Sequence, residues 1–265
     1  MLWILQKNLF NEKRYITLVE TLERMNIPRL LVKPLPFTSR LIPDDWDLTL
    51  QTPLEDIPEP LVPEGPKWVM GTYTLARIAQ ERGWWPGSFL ENLNYLDWQW
   101  SDNYLLNPNA YVTTPKKAQL PEGDFFCRPL ADSKVFSGGI FNRAGFIEWR
   151  DSLPVDGEAC PSTQILIAPV KEIYTETRFW IVNGRIVTGS EYKRGGYTYY
   201  TSSVDPGAYN FTEQAIYQWT PNQAFVIDIA YTSEGYKIIE VNNMNSAGLY
   251  EANVGKLIEA IEGLV

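Results

Sequence analysis

Asn183 and Gly184 separate two short apolar β runs, Arg178 to Val182 and Arg185 to Thr188, and this dipeptide constrains the fold more tightly than any other feature of the chain. Both central positions of a type I′ turn need a positive φ, which asparagine and glycine tolerate, and such a turn matches the twist of paired strands. An antiparallel hairpin is therefore predicted here. A second is predicted where Ser233, Glu234 and Gly235 divide Ala224–Tyr231 from Tyr236–Val241. With a further β run at Ile165–Ala168, the carboxyl-terminal part reads as mainly β. It closes with a helix over Ala252–Leu264, where Val254, Leu257, Ile258 and Ile261 share a face.

The amino-terminal part reads differently. Leu2–Leu5 is a short apolar run, and Tyr15, Leu18, Val19, Leu22 and Met25 follow at helical spacing. Arg29–Lys33 reads as a second strand bounded by Pro28 and Pro34. The prolines from Pro34 to Pro66 mark a long irregular connection with short extended pieces such as Leu48–Leu50. Trp68–Met70, Gly71 and a helix through Leu75, Ala76, Ile78 and Ala79 then repeat the strand-turn-helix pattern, giving a small α/β unit over 1–105. Between these parts, Phe125–Arg128 and Val135–Phe141 are β runs on either side of a polar turn, Ala131–Lys134.

With 265 residues, 45% of them hydrophobic, the chain can bury a sizeable core without disulfide staples. Its formal charge of −9 argues against nucleic-acid binding. Histidine is absent, which removes imidazole acid–base chemistry, Ser-His and Cys-His pairs and histidine metal sites. Catalysis is left to carboxylates, Lys, Arg, Tyr or a hard metal ion. Cys127 and Cys160 are expected as buried free thiols in a reducing compartment. No apolar stretch has the length of a membrane span, and Met1–Leu9 lacks the features of a signal peptide, so a soluble cytoplasmic protein is expected.

The segment from Phe225 to Tyr250 carries the chemistry. Asp228 lies in one strand of the second hairpin, and Glu240 and Asn242, two apart, lie in the other. Side chains alternate along a strand, so Glu240 and Asn242 point the same way and the hairpin brings Asp228 beside them. Two carboxylates and an amide suit Mg²⁺, which prefers oxygen ligands and takes others from water and phosphates. Acids within flanks as apolar as VID and IIEVNN are unusual for a purely structural hairpin. In FFCRPLADSKVFSGG, Arg128 closes a strand and Lys134 sits in a small-residue turn, two cations and exposed N–H groups that suit a polyphosphate. In ILIAPVKEIYTETR, the strand end at Pro169, Val170 and Lys171 offers backbone groups to an adenine, and Glu176 an acceptor for a ribose hydroxyl.

In this order the three segments resemble the ATP-grasp superfamily, with Arg128-Pro129 where most members have Lys-Pro. TRFWIVNGRIVTGSEY, EVNNMNSAGLY, GWWPG at 83–87 and LLNPNA at 105–110 are similar to a small clade of phages and bacteria whose nucleotide site uses two arginines and a lysine. The resemblance implies a pre-ATP-grasp, Rossmann-like α/β domain over 1–105 and two α+β subdomains, 106–164 with the phosphate-covering loop and 165–265 with the metal site, clasping ATP. It implies an Mg²⁺-dependent carboxylate–amine ligase that passes through an acyl phosphate, with Mn²⁺ as a substitute cation. The alternative is an ATP-binding module or phosphotransferase on the same fold. On the ligase reading, Arg128, Lys134 and Arg178 are catalytic and the first two also bind ATP, with Pro169, Val170, Lys171 and Glu176. Asp228, Glu240 and Asn242 hold the metal, and Asn245, Ser246, Gly248 and Tyr192 face the substrates. The partners are then a carboxylate and an amine on small molecules, peptides or proteins, with no nucleic acid or membrane. The protein is expected to be a monomer or homodimer, in the host cytoplasm if phage-encoded.

Overall fold

The computed structural model describes residues 1–6, 13–35, 38–46, 53–89, 97–130, 135–157 and 159–265. The predicted extended piece at Leu48–Leu50 and the turn Ala131–Lys134 lie outside them.

Three sheets follow one another along the chain. The first has the order β3-β2-β1-β4-β5, with β1 (Leu2–Gln6), β2 (Arg29–Pro34), β3 (Leu41–Pro43), β4 (Lys67–Met70) and β5 (Pro86–Gly87). β1 runs parallel to β2 and β4, joined through α1 (Lys13–Arg24), and α2 (Tyr73–Glu81) follows β4. The second sheet, β6-β9-β7-β8, comprises β6 (Tyr111–Thr113), β7 (Phe125–Pro129), β8 (Gly139–Phe141) and β9 (Ile165–Pro169), with α3 (Arg143–Ser152) between its last two strands. The third is ordered β12-β11-β10-β13-β14: β10 (Thr175–Val182), β11 (Arg185–Arg194), β12 (Tyr197–Thr201), β13 (Ala224–Thr232) and β14 (Gly235–Asn243). α4 (Pro206–Gln218) lies between β12 and β13, and α5 (Val254–Glu262) ends the order of elements.

Both predicted hairpins form. Asn183 (φ 49°) and Gly184 (φ 67°) take the left-handed conformation that the turn between β10 and β11 requires. Ser233 and Glu234 link β13 to β14, in which Thr232 pairs with Gly235.

Alternation along β10 and β13 builds two cores. Trp180, Val182, Ala224 and Val226 face one way and pack with Trp3 and Trp68 of the first sheet and Leu257, Ile258 and Ile261 of α5. Phe179, Ile181, Phe225 and Ile227 face the other way, against Trp100 and the α4 residues Ala208, Ala215 and Ile216. The second sheet has its own core of Phe125, Cys127, Ile165 and Ile167, covered by Phe146 of α3.

Several expectations are corrected. The run Val135–Phe141 shrinks to β8, and the chain turns helical at Arg143, where Asn142 Oδ1 accepts from Gly145 N at 2.8 Å and caps α3. Neither α4 nor β12 was anticipated; Asp205 caps α4 and Pro206 occupies its first turn. Cys127 is fully buried, but Cys160 is only half-buried. The terminal helix is shorter than expected, though its predicted apolar face is the buried one. β9 joins the second sheet, so the change to the third falls between Pro169 and Thr175.

Candidate active site

The register of the third sheet sets four polar residues in one row across four strands. Ser190 on β11 pairs with Arg178 on β10, Arg178 with Asp228 on β13, and Asp228 with Glu240 on β14. Asn242 pairs with Val226 in the next row on the same face. Cross-strand partners project to the same side, so the face that carries Trp180 and Val226 into the core changes at one end into a polar strip.

Asp228 and Arg178 are 1% and 7% exposed. Arg178 Nε donates to one carboxylate oxygen at 2.8 Å and Nη2 to the other at 2.7 Å, a bidentate pair. Burial opposes the guanidinium charge, yet Asp228 outweighs it and holds the pKa of Arg178 above its ordinary value. The Tyr192 hydroxyl donates to Glu176 at 2.7 Å and lies 3.4 Å from Asp228 Oδ2. Burial, with Asp228 and Glu176 adding to it, pushes its pKa far up, so it stays a donor.

A cleft of about 490 Å³ opens between the second and third sheets. Phe126, Arg128, Gly139, Ile140, Leu166 and Pro169 line one side; Glu176, Lys193, Ile238, Ile239 and Glu240 line the other, with Val170 and Lys171 at the connection. Lys171 pairs with Glu234 at 2.6 Å and Lys193 with Glu176 at 2.7 Å. Arg128 is the cleft cation that has no carboxylate partner among the described residues. A Cβ on Gly138 would come within 2.9 Å of Arg128 Cβ and 3.1 Å of the Phe126 ring, so only glycine lets the chain pass this close to that strand.

The structure thus brings Arg128, Pro169, Val170, Lys171, Glu176 and Glu240 to one cleft, with Asp228, Asn242, Arg178 and Tyr192 on the adjoining polar strip. Lys134 lies outside the described residues. Asn245 is fully buried and committed to the fold: Nδ2 donates to Val69 O at 2.6 Å and Gly87 O at 3.2 Å, and Oδ1 accepts from Phe89 N at 3.0 Å. It ties the first sheet to the end of β14. Ser246 and Gly248 follow it, both half-buried. Lys193 was missed by sequence reasoning, because its place opposite Glu176 depends on a β bulge in the pairing of β10 with β11.

Two carboxylates and an amide on one strip are a donor set for a hard divalent cation. No group of three or more acids or cysteines able to hold a metal occurs among the described residues. The strip still fits such an ion. Glu240 opens onto the cleft, and each Asp228 oxygen keeps a lone pair beyond the one Arg178 uses.

The ATP-grasp domain family that is family 3 of the clade named for two arginines and a lysine matches residues 63–261. The chain belongs to this family. Over 100% of its length and 99% of the other chain it superposes on D-cycloserine synthetase DcsG with a TM-score of 0.59 at 11% identity. D-alanine–D-alanine ligase from Bacillus anthracis complexed with ATP gives a TM-score of 0.59 at 12% identity, over 99% of this chain and 96% of that one. The ATP-grasp ligase PsnB, complexed with precursor peptide PsnA2 and AMPPNP, gives 0.54 at 11%, over 99% and 96%. These likenesses establish the ATP-grasp fold. No curated protein matches the sequence.

Proposed function

We propose that the protein is an Mg²⁺-dependent ligase that joins a carboxylate to an amine, with ATP bound in the cleft between the second and third sheets. The observation that carries this reading is the pairing of opposites across the cleft. Arg128, free of any carboxylate partner among the described residues, faces a wall that ends in Glu240 and the Asp228–Arg178 pair. A polyphosphate fits between a guanidinium on one side and a carboxylate-held cation on the other.

On this reading Arg128 and Lys134 hold phosphates, Pro169, Val170 and Lys171 border the adenine, and Glu176 accepts from a ribose hydroxyl. Glu240, Asn242 and Asp228 would hold Mg²⁺, which supplies charge neutralisation at the phosphates. The γ-phosphorus bonds to a carboxylate oxygen of the substrate as its bond to the β–γ bridging oxygen breaks, and ADP leaves. An amine nitrogen then bonds to the acyl carbon, phosphate leaves, and the surplus amine proton passes to phosphate or water. Neither step needs histidine, because phosphoryl transfer is mostly positioning and electrostatic stabilisation. Arg178 stands next to the row's carboxylates and stabilises the acyl phosphate. Ser246 and Gly248, beyond β14, border the acceptor.

The structural neighbours named above include a ligase complexed with a precursor peptide, a D-cycloserine synthetase and a D-alanine–D-alanine ligase, which supports small-molecule or peptide substrates here. No described helix is long and apolar enough to cross a membrane. The reaction is placed in the cytoplasm, that of a host if the chain is phage-encoded. The test is a screen of carboxylates and amines for ADP release, with mass spectrometry of the products. Release of ADP and phosphate only when both partners are present supports the ligase. Phosphate transferred to a hydroxyl, or ATP binding without turnover, assigns the chain to the phosphotransferase or binding-module alternative.

A further inference from the structure

The cleft accounts for Arg128, Glu176, Lys193 and Glu240, but Arg178 does not line it. Its guanidinium instead meets two rings, Tyr192 at 5.7 Å and Tyr250 at 5.0 Å. Tyr192 and Tyr250 stack with centroids 5.0 Å apart and 21° between planes; Tyr200 stacks on Tyr250 at 5.3 Å and 18°. Three rings from β11, β12 and the segment after β14 therefore form a near-parallel ladder. It leads from the hydrogen-bonded Tyr192 to Tyr200, which is 54% exposed. Tyr250 has φ 44°, a conformation uncommon for a bulky residue, and its ring lies over Arg178 from that backbone. Asp228 takes two of the five guanidinium N–H groups, and no other oxygen among the described residues accepts from Arg178.

We propose that this ladder is the side-chain pocket of the carboxylate substrate, and that the substrate carries an aromatic or comparably flat π-bearing group. The proposal rests on the ligase reading of the cleft. The substrate carboxylate accepts from the N–H groups that Asp228 leaves over, beside the Asp228–Glu240 pair, and its ring adds a rung at Tyr200 and Tyr250. Offset-stacked rings gain attraction beyond their buried area, which an aliphatic chain of similar size does not. A cationic side chain would sit near the Arg178 charge, and the neighbouring Arg14 is already neutralised by Glu251, next in sequence to Tyr250. Those charges leave a flat neutral group as the best complement.

The experiment is calorimetric titration of the full chain with N-acetyl-L-phenylalanine and with N-acetyl-L-alanine, with and without Mg²⁺ and ADP. The wild-type protein should bind the aromatic carboxylate on the order of tenfold more tightly. Tyr200→Ala should reduce that preference to about threefold or less, and Tyr200→Phe should keep it. Tyr200 is largely exposed, and the AMP-PNP affinity of each variant reports that it is folded. Equal binding of the two carboxylates to wild type, or an unaltered preference in Tyr200→Ala, overturns the proposal. Aromatic selectivity without ADP release in the presence of amines would leave the pocket in place and overturn the ligase reading. ADP release confined to aliphatic carboxylates would do the reverse.

Discussion

Asp228 and Arg178 satisfy each other through two parallel hydrogen bonds of 2.8 and 2.7 Å, although they lie on different strands and are fifty residues apart. The pair is almost wholly removed from water, so its members are coupled in stability as well as in chemistry. Asp228→Ala leaves an uncompensated buried guanidinium and should cost about 3–5 kcal/mol, whereas the double change Arg178→Met with Asp228→Leu should recover most of it. Urea denaturation of the single and double variants checks this. Strictly additive losses would show that the two do not act as a unit.

Glu240 is half-buried and opens onto the cleft, so Glu240→Gln removes a charged ligand without orphaning a buried partner of the kind Asp228 has. Its melting temperature without ligand should stay close to wild type. Stabilisation by a ligand follows RT ln(1 + [L]/Kd), about 2.7 kcal/mol at a hundredfold excess over Kd, so Mg²⁺ with AMP-PNP should raise the wild-type melting temperature by several degrees. The variant should lose most of that shift. A full shift would take Glu240 out of the cation site.

Arg128→Lys separates charge from shape. If the planar fork holds two phosphate oxygens, ATP affinity should fall roughly tenfold despite the retained charge, about 1.4 kcal/mol. Unchanged affinity in a fluorescence titration would mean that one point charge is enough. Lys134→Ala should leave the melting temperature nearly constant while turnover drops by about 10² or more.

The two thiols should separate sharply in reactivity. Burial pushes Cys127 up to about 12, whereas hydrogen bonds from Ser162 and Thr163 lower Cys160 to about 7. Iodoacetamide at pH 7.5 should therefore label Cys160 in the folded protein and spare Cys127 until the protein unfolds. The Cys160 rate should fall as the pH drops through about 7, where the thiolate takes up a proton. Peptide mapping by mass spectrometry reads both outcomes, and equal labelling would contradict the burial of Cys127.

Both hairpins were legible because their signals are local: Asn183-Gly184 can adopt the two positive φ angles, and strand alternation puts Glu240 and Asn242 on one face. The partnership of Arg178 with Asp228 was not, since the pairing of β10 with β13 bridges a hairpin, an edge strand and a helix. α4 escaped notice because its buried side is built largely of small residues, Ala208, Thr212 and Ala215, which leave a weak apolar period despite the Asp205-Pro206 start signal. Asn245 illustrates another limit. Its position just after the metal strand suggested a substrate contact, but its amide serves Val69, Gly87 and Phe89, distant in sequence.

The central claim is that a carboxylate oxygen attacks the γ-phosphorus. With ATP, Mg²⁺, the amine and an ¹⁸O-labelled carboxylate found by the screen, mass spectrometry of the released phosphate tests it directly. The account predicts one ¹⁸O per phosphate, formed in step with ADP and amide product and lost in Glu240→Gln. Unlabelled phosphate accompanying amide formation would contradict it.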